Sequence, residues 1–113
     1  MGAPLSSHLT TLLGLFSANV ALSDEVPAYL EGFSASEKHI LREEFATRLQ
    51  LHTLGMKQFR RSTACEAKDE ATAQRFFHDV FRYAFEEGEE PYMPDYTAHK
   101  AHLGSPIKPG RHV

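Results

Sequence analysis

The residues best able to do chemistry in this sequence are seven histidines and one cysteine, so their spacing decides which sites exist. A di-iron carboxylate bundle needs Glu-x-x-His on its helices, and no glutamate stands three residues before any histidine. The motif His-Glu-x-x-His is also absent. His99 and His102 are spaced to share a divalent ion on one helical turn, but two ligands make a weak site. We therefore predict neither a metal nor a cofactor.

Catalytic motifs are equally absent. Cys65 falls near the start of a predicted helix, where a thiol can be activated, but no base is identified beside it. The chain contains no Gly-x-Gly-x-x-Gly, no Gly-x-Ser-x-Gly and no phosphate-binding Gly-Lys-Ser/Thr loop. We predict that the protein is not an enzyme.

His52 interrupts an apolar helical stripe and is the most informative histidine. The segment His52-Thr53-Leu54-Gly55 resembles the histidine phosphotransfer domains, which are also small four-helix proteins. The resemblance covers four residues, and the lysine that the family usually has between Leu54 and Gly55 is missing. It implies a signalling domain in which His52 carries the phosphoryl group. A reactive ring must reach solvent, whereas Leu49 and Met56 flank His52 on the stripe, so we expect His52 to be buried and not phosphorylated.

An acidic run near the end of the last predicted helix is unfavourable for local structure. Negative charge opposes the helix dipole there, and four neighbouring carboxylates repel one another. One interpretation is a solvated helix end, neutralised by Arg82 and by the basic tail residues Lys100, Lys108 and Arg111. The other is a docking patch that steers a basic protein partner, completed by aromatic residues off the core stripe. The predicted partner-binding residues are Glu86, Glu87, Glu89, Glu90, Tyr83 and Phe85.

Composition fixes the class of fold that must position these residues. The chain has 113 residues, 42% of them hydrophobic, which allows one domain with one core. Leucine and alanine far outnumber valine and isoleucine, and this usage favours helices over sheet. We predict an all-α four-helix bundle with a short second helix. Residues 1–90 would form this bundle domain, and residues 91–113 a Pro-rich tail packed on or near it.

Hydrophobic periodicity and capping signals place the four helices. The predicted segments run from Ser6 or Ser7 to Val20, from Ser23 to Gly32, from Ser34 to Arg61 and from Thr63 to Gly88. Gly55 leaves a kink or an early end of the third helix open. The third and fourth helices are expected to pair antiparallel across a short turn, with Phe77 and Phe81 anchoring the core. A last helical turn is predicted from Asp95 to Leu103.

Charge and targeting signals narrow the function. Residues 38–61 carry a net charge of +4 and residues 62–90 a net charge of −5, while the overall charge of −3 argues against a general nucleic-acid binder. No Lys or Arg occurs in residues 1–37, so a basic signal-peptide start is missing, and no apolar run is long enough to span a membrane. The residues around Gly2 match an acylation pattern, and acylation stays open.

We predict a cytoplasmic, non-enzymatic module that binds a basic protein partner and has no nucleic-acid or membrane partner. A small inhibitor, an immunity-like protein of bacterial type or an adaptor fits this description. A homodimer is left open. The alternatives are a phosphotransfer domain using His52 and a metal- or ligand-binding helical bundle.

Overall fold

The computed structural model describes residues 4–98, and this part of the chain is helical. It contains five α-helices, two short 3₁₀ turns and no β-strand. The α-helices are α1 (Ser7–Gly14), α2 (Val26–Glu31), α3 (Ala35–Gln50), α4 (Met56–Thr63) and α5 (Glu70–Phe85). The 3₁₀ turns are Ser23–Glu25 and Met93–Asp95. The prediction of an all-α fold is confirmed.

The core is built around the ring of Phe76 in the middle of α5. Phe76 is fully buried and makes edge-to-face contacts with Phe16, Phe59, Phe77 and Tyr96, at ring-centroid distances of 4.9 to 5.5 Å. Aromatic pairs of this geometry add about 0.5–1.5 kcal/mol each beyond the burial of their surface. The cluster therefore joins the turn after α1, α4, α5 and the segment that follows α5.

Helices α3 and α5 lie antiparallel. The ring of Phe45 packs edge-to-face on Phe81 at 5.3 Å and on Phe85 at 6.4 Å. Arg42, in the middle of α3, forms a 3.5 Å ion pair with Glu86 just after the end of α5. The predicted antiparallel pairing of the basic and acidic helices is thus present, but α4 lies between them in the chain instead of a short turn.

The predicted third helix is in fact two helices, because α3 ends in a Schellman motif. The N–H of His52 donates to the carbonyl of Leu49, and the N–H of Thr53 donates to the carbonyl of Arg48, both at 3.2 Å. His52 occupies the left-handed position of this motif with a φ of 56°. Its side chain is exposed. The prediction that His52 is buried is therefore wrong, since the helical stripe on which it rested ends before His52.

Gly55 begins α4 and does not kink a continuous helix. The N–H of Met56 donates to a carboxylate oxygen of Glu70 at 3.3 Å, which caps the new helix from the start of α5. A Cβ at position 55 would collide with this carboxylate. Glycine at this position thus lets Glu70 approach the first turn of α4.

The predicted start of the last helix at Thr63 is wrong. Thr63 ends α4: its buried hydroxyl donates to the carbonyl of Phe59 at 2.7 Å, so it is occupied by the preceding helix. Ala64 then adopts a left-handed conformation with a φ of 63° and breaks the helix. The N-cap of α5 is Asp69, whose carboxylate accepts from the N–H of Thr72 at 2.8 Å.

The other observed helix boundaries agree with the predicted ones to different degrees. Ser34 forms the predicted capping box with Glu37. The first helix ends at Gly14, six residues earlier than predicted, and Val20 is 48% exposed. In place of a helix beginning at Asp95 the chain has the 3₁₀ turn Met93–Asp95, and the remainder of that predicted helix lies outside the described residues.

The segment of residues 91–98 runs back along α5. Pro91 and Tyr96 are buried. The N–H of Lys68 donates to the carbonyl of Tyr96 at 3.0 Å, and the N–H of Ala98 donates to the carbonyl of Glu66 at 2.9 Å. These bonds attach the segment to the loop before α5 and hold Tyr96 over the core.

Candidate functional site

A cleft of about 290 Å³ opens between the C-terminal half of α5 and the returning segment. We call it the acidic cleft because four carboxylates and a single guanidinium line it. Its lining residues are Asp79, Arg82, Gly88, Glu89, Glu90, Pro91, Tyr92, Asp95 and Tyr96. A cleft with this excess of negative charge is suited to bind a cationic group.

The turn after α5 positions the two glutamates of the acidic cleft. The carbonyl of Arg82 accepts from the N–H groups of both Glu86 and Gly88 at 2.8 Å, so the chain folds back tightly on the last turn of the helix. A Cβ on Gly88 would stand 3.0 Å from the Cβ of Arg82, which is tighter than an ordinary contact. Glycine therefore permits the close return that directs Glu89 and Glu90 along α5.

A second set of contacts fixes the opposite wall. The hydroxyl of Tyr96 donates to a carboxylate oxygen of Asp79 at 2.6 Å, and the guanidinium of Arg75 lies 5.1 Å from the centre of the Tyr96 ring. Burial and the hydrogen bond to Asp79 raise the pKa of Tyr96 above its ordinary value. The phenol therefore keeps its proton and continues to hold the Asp79 carboxylate in place.

The mouth of the acidic cleft meets the 3₁₀ turn before α2. The hydroxyl of Ser23 donates to the carboxylate of Glu90 at 2.5 Å, and the hydroxyl of Tyr83 donates to the carbonyl of Ser23 at 2.9 Å. Burial raises the pKa of Tyr83, and the negative charges of Glu90 and Asp24 raise it further. The acidic surface thus extends beyond the cleft onto Asp24.

The predicted partner residues occupy different environments. Glu89 and Glu90 line the acidic cleft, and both are exposed. Glu86 instead forms its ion pair with Arg42 on α3, and Arg82 does not neutralise it in the way the sequence suggests. Glu87 is exposed in a left-handed conformation with a φ of 60°. Two of the four glutamates therefore face a shared recess.

The two aromatic residues predicted for the same site have contacts inside the molecule. Tyr83 is half-buried and directs its hydroxyl to Ser23. Phe85 is half-buried and packs on Phe45 and Phe81. Both extend the hydrophobic core at its edge.

Sequence reasoning missed the aspartates of this site. Asp79 precedes Arg82 by three residues, so its place on the same face of α5 was open to detection. Asp95 joins the cleft only because the chain folds back after Pro91. Their shared surface with Glu89 and Glu90 follows from that long-range contact and has no local signature.

The histidines and the cysteine of the described residues do not line the acidic cleft. His52 and His78 line one narrow gap between the end of α3 and α5. Cys65 is a half-buried free thiol. Within residues 4–98, no group of three or more His, Cys, Asp or Glu side chains is arranged to hold a metal ion. His99 and His102, the basic residues of the tail and Gly2 lie outside the described residues.

Residues 4–98 include no helix with the length and apolar character needed to cross a membrane. No protein-family model, no curated protein and no solved structure matches the chain.

Proposed function

We propose that this protein is a non-enzymatic binding module whose acidic cleft receives a lysine or arginine side chain of a basic protein partner. The observation that carries the proposal is the convergence of Asp79, Glu89, Glu90 and Asp95 on one recess that contains a single cationic side chain, Arg82. A recess of about 290 Å³ is of the right order for one long basic side chain.

Both walls of the acidic cleft are held by contacts that do not depend on a ligand. Tyr96 fixes Asp79, and Ser23 fixes Glu90. Because these carboxylates are already positioned, little conformational entropy would be lost when a cation binds. Clustered negative charge also accelerates encounter with a basic partner and makes the association rate sensitive to salt.

The proposal includes the narrower roles inferred from the sequence: a cytoplasmic inhibitor, immunity-like protein or adaptor that masks a basic surface. What supports them is the lack of catalytic motifs together with the acidic recess.

The test compares two double variants that remove the same amount of charge. Glu89→Gln with Glu90→Gln neutralises the cleft, whereas Glu31→Gln with Glu66→Gln neutralises two exposed carboxylates elsewhere. Binding of a decalysine peptide is measured by calorimetry, and its association rate by stopped flow at several salt concentrations. The cleft variant should bind at least about tenfold more weakly, a loss of about 1.4 kcal/mol, with a flatter salt dependence of the rate.

The control variant should bind within about twofold of the parent protein. Equal weakening in the two variants would mean that overall charge, and not the cleft, attracts the peptide. Unchanged binding in the cleft variant would also contradict the proposal. Circular dichroism of both variants checks that the fold is retained.

A second candidate function is phosphotransfer through His52, and the exposure of this side chain favours it. The test is incubation with acetyl phosphate followed by mapping of phosphohistidine. His39, which is exposed on α3, is the internal control. Phosphohistidine at His52 but not at His39 would support the role, whereas labelling of both or of neither would contradict it.

A further inference from the structure

A second and larger cleft, of about 520 Å³, lies between α1, the end of α3 and α4. We call it the basic cleft because it contains two arginines and, among the residues that line it, no Asp or Glu. Its lining residues are Pro4, Leu5, Thr10, Gly14, Arg48, Thr53, Leu54, Gln58, Arg61 and Ser62. The volume is within the range of small-molecule sites.

Arg48 is the fixed cation of the basic cleft. Its side chain is only 18% exposed, and its Nη2 donates to the carbonyl of Pro4 at 3.0 Å and lies 3.9 Å from a carboxylate oxygen of Glu44. A guanidinium has five N–H donors in a rigid plane. The Pro4 carbonyl and Glu44 both act on Nη2, so Nε and Nη1 of Arg48 have no partner among the described residues.

Arg61 is the second cation, and it has no ion pair among the described residues. Its neighbour Arg60, by contrast, is paired with Glu66 at 2.7 Å. Arg61 and Ser62 are adjacent near the end of α4, where they reach the cleft together with Gln58 from the preceding turn. The positive charge of Arg61 is therefore uncompensated at the cleft.

The polar floor of the cleft offers a hydroxyl donor. Ser62 is 94% buried, with a relative exposure of 6%, and its Oγ accepts from the side-chain amide of Gln58 at 2.9 Å. Since the oxygen accepts this bond, its own proton is free to donate. Leu5 and Leu54 provide apolar surface beside these donors.

We infer that the basic cleft binds a phosphate monoester of a small organic molecule. The two guanidinium groups offer bidentate donors to the oxygens of a phosphate monoester, and the uncompensated charge of Arg61 attracts its near-dianionic group. Donors from Arg48, Arg61 and Ser62 exceed what the two oxygens of one carboxylate can accept, whereas a phosphate monoester offers three terminal oxygens. The apolar surface of Leu5 and Leu54 would contact the organic portion.

The basic cleft is separate from the acidic cleft, and its test does not depend on binding at the acidic cleft. Phenyl phosphate, inorganic phosphate and succinate are titrated at constant ionic strength into the full-length ¹⁵N-labelled protein, and backbone amide shifts are followed. Phenyl phosphate should shift the amides of α4 and the end of α3, and it should bind more tightly than inorganic phosphate or succinate.

The variant Arg61→Gln removes the uncompensated cation, and Lys57→Gln is its matched control. Lys57 is exposed on the same helix and does not line the cleft. Arg61→Gln should weaken phenyl phosphate binding at least tenfold, while Lys57→Gln should change it less than twofold.

Several results would overturn the inference. Equal effects of the two variants would indicate general electrostatic attraction. Succinate binding as tightly as phenyl phosphate would exclude a phosphate site, and shifts confined to residues outside the cleft would exclude the location. Both variants retain the acidic cleft, so these outcomes leave the proposed docking of a basic partner unaffected.

Discussion

Truncation of the central ring of the core, Phe76→Ala, should be among the most destabilising single substitutions in this protein. Phe76 is fully buried and contacts four other aromatic rings. Removal of a buried phenylalanine side chain costs about 3–5 kcal/mol through lost transfer free energy and the cavity that remains. The lost ring contacts place Phe76 at the upper end of this range.

Phe81, on the same helix, is less deeply buried than Phe76, so its truncation should cost less stability. It is 8% exposed and lies at the edge of the core beneath the guanidinium of Arg42. Phe81→Ala leaves a space that solvent and neighbouring side chains can partly fill, so its cost should fall near 3 kcal/mol. Ile40, which is 68% exposed, is the surface control, and Ile40→Ala should change stability by less than about 0.5 kcal/mol.

The assay is urea-induced unfolding, with helix content monitored by far-UV circular dichroism. A domain of this size has a free energy of unfolding of about 5–15 kcal/mol, so a loss near 5 kcal/mol would remove from about a third to all of it. Phe76→Leu retains more of the core volume and keeps the comparison measurable. A loss below about 1 kcal/mol for Phe76→Ala, or a larger loss for Phe81→Ala, would refute the placement of Phe76 at the centre of the core.

Three further substitutions test the helix ends and the returning segment. His52→Gly should raise the free energy of unfolding by about 0.5–1 kcal/mol in urea titrations, because glycine adopts the left-handed backbone without strain; a loss of stability would contradict this. Ser34→Ala should cost about 1 kcal/mol. The backbone N–H of Ser34 and, to a lesser degree, its side chain lower the pKa of Glu37 below its ordinary value, so the contribution of this carboxylate to stability is present above pH 4.5 and lost as the pH falls through the lowered pKa. Ser34→Ala keeps the backbone hydrogen bond, so urea titrations across that range should show a pH dependence of the same sign and only slightly flatter in the variant. Tyr96→Phe should cost about 1.5 kcal/mol in thermal or urea unfolding, because the hydrogen bond to Asp79 is lost; an unchanged midpoint would show that the bond contributes nothing.

The parts of the fold that depend on local sequence were predictable. The capping box of Ser34 and Glu37 involves residues three apart, and both of its hydrogen bonds are present. The predicted core anchors Phe77 and Phe81 are both buried on α5, because the period of the apolar residues defines one face of the helix. Local information was sufficient in both cases.

The helix boundaries that were predicted wrongly depend on residues in unusual roles. Schellman motifs most often place glycine at the left-handed position, and here a histidine occupies it, so the end of α3 lacked its usual signal. Thr63 and Glu66 have capping-box spacing, but the Thr63 hydroxyl bonds to α4 behind it. A threonine hydroxyl can either cap the helix that follows it or bond to the helix that precedes it. The spacing of Thr63 and Glu66 alone does not decide between these two roles.

The acidic cleft was predictable from the sequence only where its residues are neighbours in the chain. Glu89 and Glu90 were visible as part of a charged run, since adjacent like charges are evident in any sequence. The interior contacts of Phe85 and the ion pair of Glu86 depend on α3, which is forty residues away in the chain. Asp95 reaches the cleft only through the return of the segment after Pro91.

The bonds that join Lys68 to Tyr96 and Ala98 to Glu66 also link the assembly of the core to the acidic cleft. Tyr96 covers Phe76 on one side and borders the acidic cleft on the other. During synthesis, neither the cover of the core nor the far wall of the cleft exists until this segment leaves the ribosome and docks. After folding, release of the segment by local opening would dismantle both at once. A ligand that occupies the cleft must therefore oppose that opening, because it binds only the docked form.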